Sequence, residues 1–329
     1  MLGVVLAAGR GVRLGPLTTD RSKPMLPVAG KPMIERVLEM LAAGGVEHVI
    51  AVVHPGDIAL HNHLVHSPWA PKCRFAYQKH RRGMAHAVEC ASPLVRGAAV
   101  SEFVLASCDN LYPRDHVSGL IAHRRSRLDA ALTLTWTSRE EATASAVVVR
   151  RGPLVVDILE KPDPEDIPVY EERGLVLAAP SLYALSTRVL DYLDQVPVSP
   201  RGECEFPDAL RLLIADGGRV GGVLVSDRMT LTNPRDLLAL NLHFLRTQPH
   251  CAVVETDIDD GVTVVPPVRI EEDVSVAPGC RVGPLAYLER GCRLCAGAEV
   301  RRSVVLRRGL VGPNQVIEGT VIGGMGAAF

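Results

Sequence analysis

The sequence is poor in aromatic residues, with five Phe, two Trp and six Tyr among 329. Its core must therefore be built from Val, Leu, Ile and Ala, which a 47% hydrophobic content supplies. It lacks an excess of either charge, since 36 basic residues face 37 acidic ones for a net charge of −1. No bulk field draws such a chain to nucleic acid or anionic lipid, so neither is an expected partner. Collagen-like and coiled-coil compositions are missing, and a chain this apolar buries a full core instead of remaining disordered. The first residues, MLGVVLAAGRGVRLG, lack a basic leader followed by a long apolar run and a cleavage site. A run of about 18 apolar residues, as a membrane helix needs, is also missing, so the expected location is cytoplasmic.

The eight cysteines are scattered, and in a reducing cytosol they read as small buried hydrophobes. Cys292 and Cys295 make one close pair. A zinc site would need a second pair of ligands nearby, and a redox pair should open a helix; neither condition is met.

A chain of 329 residues and 35.4 kDa has room for two domains. Residues 1–247 alternate strand-like and helix-like segments. Apolar runs at Leu2–Leu6, His48–Val53, Arg74–Tyr77, Phe103–Ser107 and Ala130–Trp136 read as strands. Met33–Ala43, Met84–Val95, Phe206–Ala215 and Arg235–Leu245 read as helices, the first stopped by Gly44-Gly45. The alternation predicts an α/β fold with a mostly parallel, doubly wound sheet and ligand sites at the carboxyl ends of its strands.

Past residue 250 helical periodicity disappears. Val264, Ile270, Val276, Val282, Leu288, Leu294, Val300 and Leu306 recur every sixth residue, and Val274, Cys280, Ala286, Cys292 and Ala298 follow four residues behind. That period predicts a short parallel β-helix over residues 251–329, with the aliphatic series stacked along its axis. Residues 251–329 hold no histidine to deprotonate an amine, so no second, acetyl-transferring activity is expected there. Their role is expected to be structural: stabilising the fold or pairing subunits into a homo-oligomer.

The densest chemical signal follows the first strand: Leu6-Ala7-Ala8-Gly9-Arg10-Gly11-Val12-Arg13-Leu14, then Ser22-Lys23-Pro24 and Leu26-Pro27-Val28. Glycines after a first strand let backbone N–H groups approach a phosphate. A Walker loop is excluded because Pro32 follows Gly30-Lys31 where Ser or Thr is required. A dinucleotide fingerprint is excluded because Gly15 lies four residues after Gly11, and Pro16, Pro24 and Pro27 prevent an immediate helix. About twenty residues of ordered loop carrying Arg13 and Lys23 thus separate strand from helix, and two cations in such a loop suit a triphosphate.

These segments, with Gly30-Lys31-Pro32-Met33-Ile34-Glu35, resemble those of the sugar-1-phosphate nucleotidylyltransferases, or NDP-sugar pyrophosphorylases. The resemblance covers essentially the whole chain and implies a Rossmann-like nucleotidyltransferase domain followed by a left-handed parallel β-helix. It implies that an NTP, UTP or dTTP, and a sugar 1-phosphate, glucose 1-phosphate first, give an NDP-sugar and pyrophosphate with Mg²⁺ as cofactor. Arg13 then contacts the triphosphate, Lys23 the reacting phosphates, and Asp109 the metal. Leu6, Ala8, Gly9 and Gly11 cradle the nucleotide, with Gln78 pairing with a pyrimidine and Gly83 facing the base. In Glu160-Lys161-Pro162, Glu160 takes sugar hydroxyls and Lys161 the sugar's phosphate.

The sequence departs from the family pattern on the sugar side. Met84 replaces a threonine, Ser145-Ala146-Val147-Val148 stands for Tyr-Gly-Val-Val, and Ala179-Pro180-Ser181-Leu182-Tyr183 for Asn-Ala-Gly-Ile-Tyr. A second metal aspartate falls on Thr230, with Asp227 as the nearest substitute. Two alternatives to a pyrimidine-specific enzyme follow: a regulatory paralogue that binds nucleotide or sugar phosphate with little or no turnover, and a mannose-1-phosphate guanylyltransferase. His61, His63 and His66 read as solvated surface, and the basic run Lys79-His80-Arg81-Arg82 reads as a solvated loop or, alternatively, as a contact to the phosphates.

Overall fold

A computed structural model describes residues 1–167, 175–247, 250–324 and 328–329. The chain packs as two units: Met1–Gly9 joins Val37–Arg228, and Arg10–Arg36 joins Met229–Phe329. These units cut across the linear division expected at residues 247 and 251, because the glycine-rich segment and the last helix belong with the repeat.

The first unit is built on a ten-stranded sheet. Its strands are β1 (Leu2–Leu6), β2 (His48–Val53), β3 (Cys73–Tyr77), β4 (Glu102–Ser107), β5 (Ala130–Ser138), β6 (Ala146–Arg151), β7 (Leu154–Glu160), β8 (Leu175–Ala178), β9 (Leu182–Ser186) and β10 (Val220–Leu224). They lie in the order β8-β6-β7-β10-β5-β9-β4-β1-β2-β3. The β4-β1-β2-β3 half is parallel, with Val4 between Leu105 and Ile50. Its strands read as continuous apolar runs because both faces are covered, and Val4, Val5, Ile50, Val52 and Leu105 are buried. The other half is mixed. β6 and β7 are joined only by Gly152-Pro153, too short a link for a parallel crossover, and they pair antiparallel. β9 returns antiparallel between β4 and β5.

Among the described residues there are seven α-helices: α1 (Met33–Ala43), α2 (Ile58–Val65), α3 (Met84–Gly97), α4 (His116–Arg125), α5 (Arg139–Ala142), α6 (Phe206–Ala215) and α7 (Pro234–Arg246). In the first unit α3 and α6 cover the sheet, burying Ala85, Val88, Ala91, Phe206 and Leu210 in one apolar cluster with Val4, Leu105 and Leu132. None of the helices is long and apolar enough to cross a membrane, among the described residues.

In the second unit three parallel sheets make the sides of a β-helix. One contains Ala252–Val254, Val268–Ile270, Ala286–Leu288, Val304–Val305 and Val321–Ile322; the others start at Thr263–Val264 and Ser275–Val276. Ile270, Val282, Leu288, Leu294 and Val300 are buried in one cluster along it, with Val264 and Val276 packed at its edge. The period slips once. Ile270 pairs with Leu288, but Leu288 pairs with Val305, so Val305, Val311 and Ile317 continue the inward series. Leu306, expected on the axis, is buried outside that cluster. The coil between Leu288 and Val305 is one residue short, and the alternation of faces moves every later side chain by one place.

The glycine-rich segment in this unit is more ordered than a coil. Short 3₁₀ turns span Val12–Thr18 and Lys23–Met25, and Pro27–Val28 pairs with Lys31–Pro32 before α1 starts at Met33.

Candidate active site

In the first unit, five of the residues singled out from sequence, Leu6, Ala8, Gly9, Gln78 and Asp109, lie on or just beyond the carboxyl ends of the parallel strands. Leu6 ends β1, and its carbonyl accepts from Cys108 N–H at 3.1 Å, while Ala7 N–H donates to Val52 O at 2.8 Å. Ala8 is buried and Gly9 exposed. Arg81, read from sequence as solvated, turns inward: its Nε donates to Ala8 O at 2.5 Å and ties the basic run to the end of β1.

Gln78 follows β3, and its N–H continues the sheet by donating to Val53 O. Its side chain is buried, and Nε2 donates to Gly83 O at 3.0 Å and to His86 Nδ1 at 3.1 Å. An amide nitrogen can only donate, so His86 Nδ1 is the acceptor in this contact; burial and the nearby Arg82 hold the His86 imidazole below its ordinary pKa. Both amide hydrogens are thereby committed, which leaves Oε1 as the end that accepts from a ligand. Gly83 caps α3 at φ +99°, and a Cβ there would lie 2.4 Å from Cys204 O. The glycine is required by the Cys204 backbone, which also takes part in two hydrogen bonds, Cys204 N–H to Arg82 O and Ala85 N–H to Cys204 O.

Asp109 follows β4. Its Oδ1 accepts from Ser107 Oγ at 2.7 Å and from Asn110 Nδ2 at 2.6 Å. Asn110 Oδ1 in turn accepts from Arg228 at 3.0 Å, a cation that the sequence reading did not single out. Asp227 is exposed and accepts from Ser226 Oγ. Among the described residues no group of three His, Cys, Asp or Glu side chains could hold a metal ion. One hard carboxylate at a strand end still suits Mg²⁺, which is commonly bound through one or two carboxylates with substrate phosphates and water completing its shell.

Glu160 ends β7, and two of the segments that depart from the family pattern, residues 145–148 and 179–183, gather around it. Ala146 on β6 pairs directly with Glu160, Lys161 N–H donates to Ser145 O, and Ala179 N–H donates to Ala146 O. Tyr183 is buried, and its hydroxyl donates to Ala179 O. Lys161, at φ +46°, places Nζ 3.4 Å from Glu160, 3.5 Å from Glu205 and 3.8 Å from Glu203. Arg201 pairs with Glu205 at 2.8 Å. The Arg201–Glu205 segment was missed from sequence. Cys204 supports Gly83 while Glu205, its neighbour, reaches Lys161, and only the fold makes that double contact visible.

Burial, opposed by Lys161 and reinforced by Glu205, pushes the Glu160 carboxyl up from 4.5 to about 7. An acid whose folded pKa is raised holds extra protons in the folded state between its two values, so its contribution to stability is full below pH 4.5 and is lost as pH rises to 7. The loss is on the order of 3 kcal/mol. Thermal unfolding followed from pH 4.5 to 7.5 should show this decline in the wild type and a flatter profile in Glu160→Gln; parallel profiles would contradict it.

In the second unit, Gly11 adopts φ +67° and a Cβ there would lie 2.9 Å from Lys23 Cβ, so the glycine and the lysine stem are packed against each other. Arg13 is exposed within the first 3₁₀ turn, and Lys23 is half-buried at the start of the second. Thr230 Oγ1 meets Thr232 Oγ1 at 3.0 Å. Asp236 belongs to the capping box of α7, where its Oδ2 accepts from Asn233 N–H and also from Thr232 N–H.

Comparison with known proteins bears on the family and the fold. The family model described as Nucleotidyl transferase matches residues 2–243. The bifunctional protein GlmU of Methanococcus maripaludis is 29% identical over 272 residues, 83% of this chain and 61% of the relative. The chain therefore spans about three-fifths of that relative's length. The UTP–glucose-1-phosphate uridylyltransferase AglF of Haloferax volcanii is 28% identical over 238 residues, 72% of this chain and 93% of the relative. A crystal structure of UDP-glucose pyrophosphorylase complexed with UDP-glucose shares the fold, with a TM-score of 0.65 and 21% identity over 75% of this chain and 98% of that one.

Proposed function

The chain belongs to the Nucleotidyl transferase family, and we propose that it joins an NTP to a sugar 1-phosphate, releasing pyrophosphate and an NDP-sugar. The observation that carries this reading is the segment after β1, where two cations, Arg13 and Lys23, sit on short turns fixed by Gly11. A phosphate oxygen of the sugar 1-phosphate forms a bond to the α-phosphorus in line as the bond to pyrophosphate breaks. Charge grows on the departing phosphates, so the protein's task is to align the reactants and supply positive charge. Arg13 neutralises the leaving triphosphate portion, and Lys23 holds the reacting phosphates. Asp109 would hold Mg²⁺, whose charge would further offset that of the phosphates.

Gln78 selects the base. With its amide hydrogens taken by Gly83 O and His86, its Oε1 accepts the N3–H of uracil or thymine. The name of the AglF relative supports UTP and glucose 1-phosphate as first substrates. Glu160 accepts hydroxyl donors of the sugar, and Lys161 takes its phosphate. Residues 1–247 are assigned the chemistry and 251–329 support and subunit pairing, in a cytoplasmic homo-oligomer. A second reading, a binding paralogue with weak or no turnover, draws on Thr230, which offers a hydroxyl where a carboxylate would give a second metal ligand.

Pyrophosphate release across a grid of NTPs and sugar 1-phosphates tests both. UTP and dTTP should exceed ATP by at least about tenfold in kcat/KM, an ordinary discrimination for one well-placed hydrogen bond. A preference for ATP or GTP would overturn the Gln78 assignment. Saturable NTP binding with no pyrophosphate from any pair would favour the binding paralogue.

A further inference from the structure

Within the second unit, the segment carrying Lys23 is held on both sides by side chains far away in sequence. On its N-terminal side Arg21 is bidentate to Glu289, at 2.5 and 3.0 Å, across 268 residues. Both side chains are less than one-tenth exposed. The same carboxylate accepts from Arg307 N–H at 2.8 Å. The preceding residue makes the opposite pairing: Asp20 Oδ2 accepts from Arg307 Nε at 2.9 Å, and Asp20 O from Arg307 Nη2 at 2.8 Å. On the C-terminal side Asn241 of α7 is fully buried, donates to Pro27 O at 3.1 Å and accepts from Ala29 N–H at 2.7 Å. Between these anchors the Lys23–Met25 turn is closed by Met25 N–H to Ser22 O and Leu26 N–H to Lys23 O. Lys23 therefore has little freedom to shift along the chain direction.

Buried charge of this kind adds little net stability against an apolar replacement of the same shape, yet removing one partner strands the other. What it does supply is position. A crossed arrangement, loop cation to repeat anion and loop anion to repeat cation, favours one alignment of residues 20 and 21: a slip by one residue sets Asp20 against Glu289 or Arg21 against Arg307, one like-charge contact in either direction, and breaks both pairs.

Building on the proposed nucleotidyl transfer, we infer that Glu289, with Asp20–Arg307 and Asn241, is a positioning residue that sets where Lys23 meets the NTP phosphates. The β-helix thus contributes to nucleotide alignment without touching substrate. A displacement of about 1 Å at a reacting group can cost on the order of 10²-fold in rate. Glu289→Gln keeps the shape but leaves the buried Arg21 guanidinium with only the longer contact to Asp20, at 3.7 Å, as counter-charge, so the Lys23 turn loosens.

The test uses the full chain. Glu289→Gln should lower kcat at least about tenfold and weaken equilibrium NTP binding, while KM for the sugar 1-phosphate stays within twofold. Amide exchange should quicken across residues 20–26 and stay unchanged across residues 280–300. Asp20→Arg and Arg307→Asp should each reproduce part of the loss, and the double charge swap should restore most of it. These two side chains are partly exposed, so the swap decides the matter if Glu289→Gln misfolds. Unchanged kcat and NTP affinity, or a uniform fall of every constant together with general loss of stability, would overturn the inference. If the wild type transfers nothing, the proposed function falls; NTP binding and exchange at residues 20–26 still decide whether Glu289 sets this segment.

Discussion

Replacing Arg13 with alanine is expected to lower kcat at least about 100-fold, with a smaller change in KM for the NTP. The side chain is exposed and stands between Gly11 at φ +67° and Gly15 at φ +52°. Those glycines shape the turn, so removing the guanidinium leaves the backbone path intact and unfolding temperature unchanged. An interaction that strengthens as pyrophosphate departs affects turnover more than ground-state affinity. Arg13→Lys should recover only part of the rate, because an ammonium lacks the planar fork that grips two phosphate oxygens. Turnover of the alanine variant within threefold of wild type would remove Arg13 from the chemistry.

Asp109→Asn is expected to cost on the order of 10³-fold in kcat. The substitution is conservative for the fold: an asparagine carbonyl can still accept from Ser107 Oγ and Asn110 Nδ2. It removes the anionic charge that suits a divalent cation. Chelator should stop the wild type and added Mg²⁺ should restore it, whereas the variant should require far more Mg²⁺ for any residual rate. Full wild-type activity in excess chelator, or a variant with an unaltered Mg²⁺ requirement, would show that Asp109 is not a ligand.

Much of the fold was legible because it rests on period and punctuation. β1, β2, α1 and α6 occupy the residues read from apolar spacing and glycine stops. The β-helix followed from a repeat of six, since stacked coils must place equivalent side chains alike. The slip at Val305 was not legible, because Val304, Val305 and Leu306 are all aliphatic and any could continue the series. The antiparallel half of the sheet was harder to read: β6 and β7 carry charged residues on both faces, at Arg150, Arg151, Asp157 and Glu160, and give no helix between them to mark a crossover. At the site, Arg13, Lys23 and Asp109 stood out through local motifs. Glu205, Arg228, Glu289 and Asn241 did not, because each gains its partner only through folding, over separations of 44 to 268 residues for the longest contacts named here.

That separation bears on the order in which the protein is made. The strands and helices between residues 37 and 228 can find their partners as soon as they leave the ribosome. Residues 20 and 21 cannot, since Glu289 and Arg307 emerge more than 260 residues later. During synthesis residues 20 and 21 therefore wait for partners near the end of the chain, solvated and open to proteases. A ribosome that stalls before residue 289 releases a chain whose sheet can fold but whose residues 20 and 21 lack their Glu289 and Arg307 partners, so defective products would be marked in the segment just before Lys23.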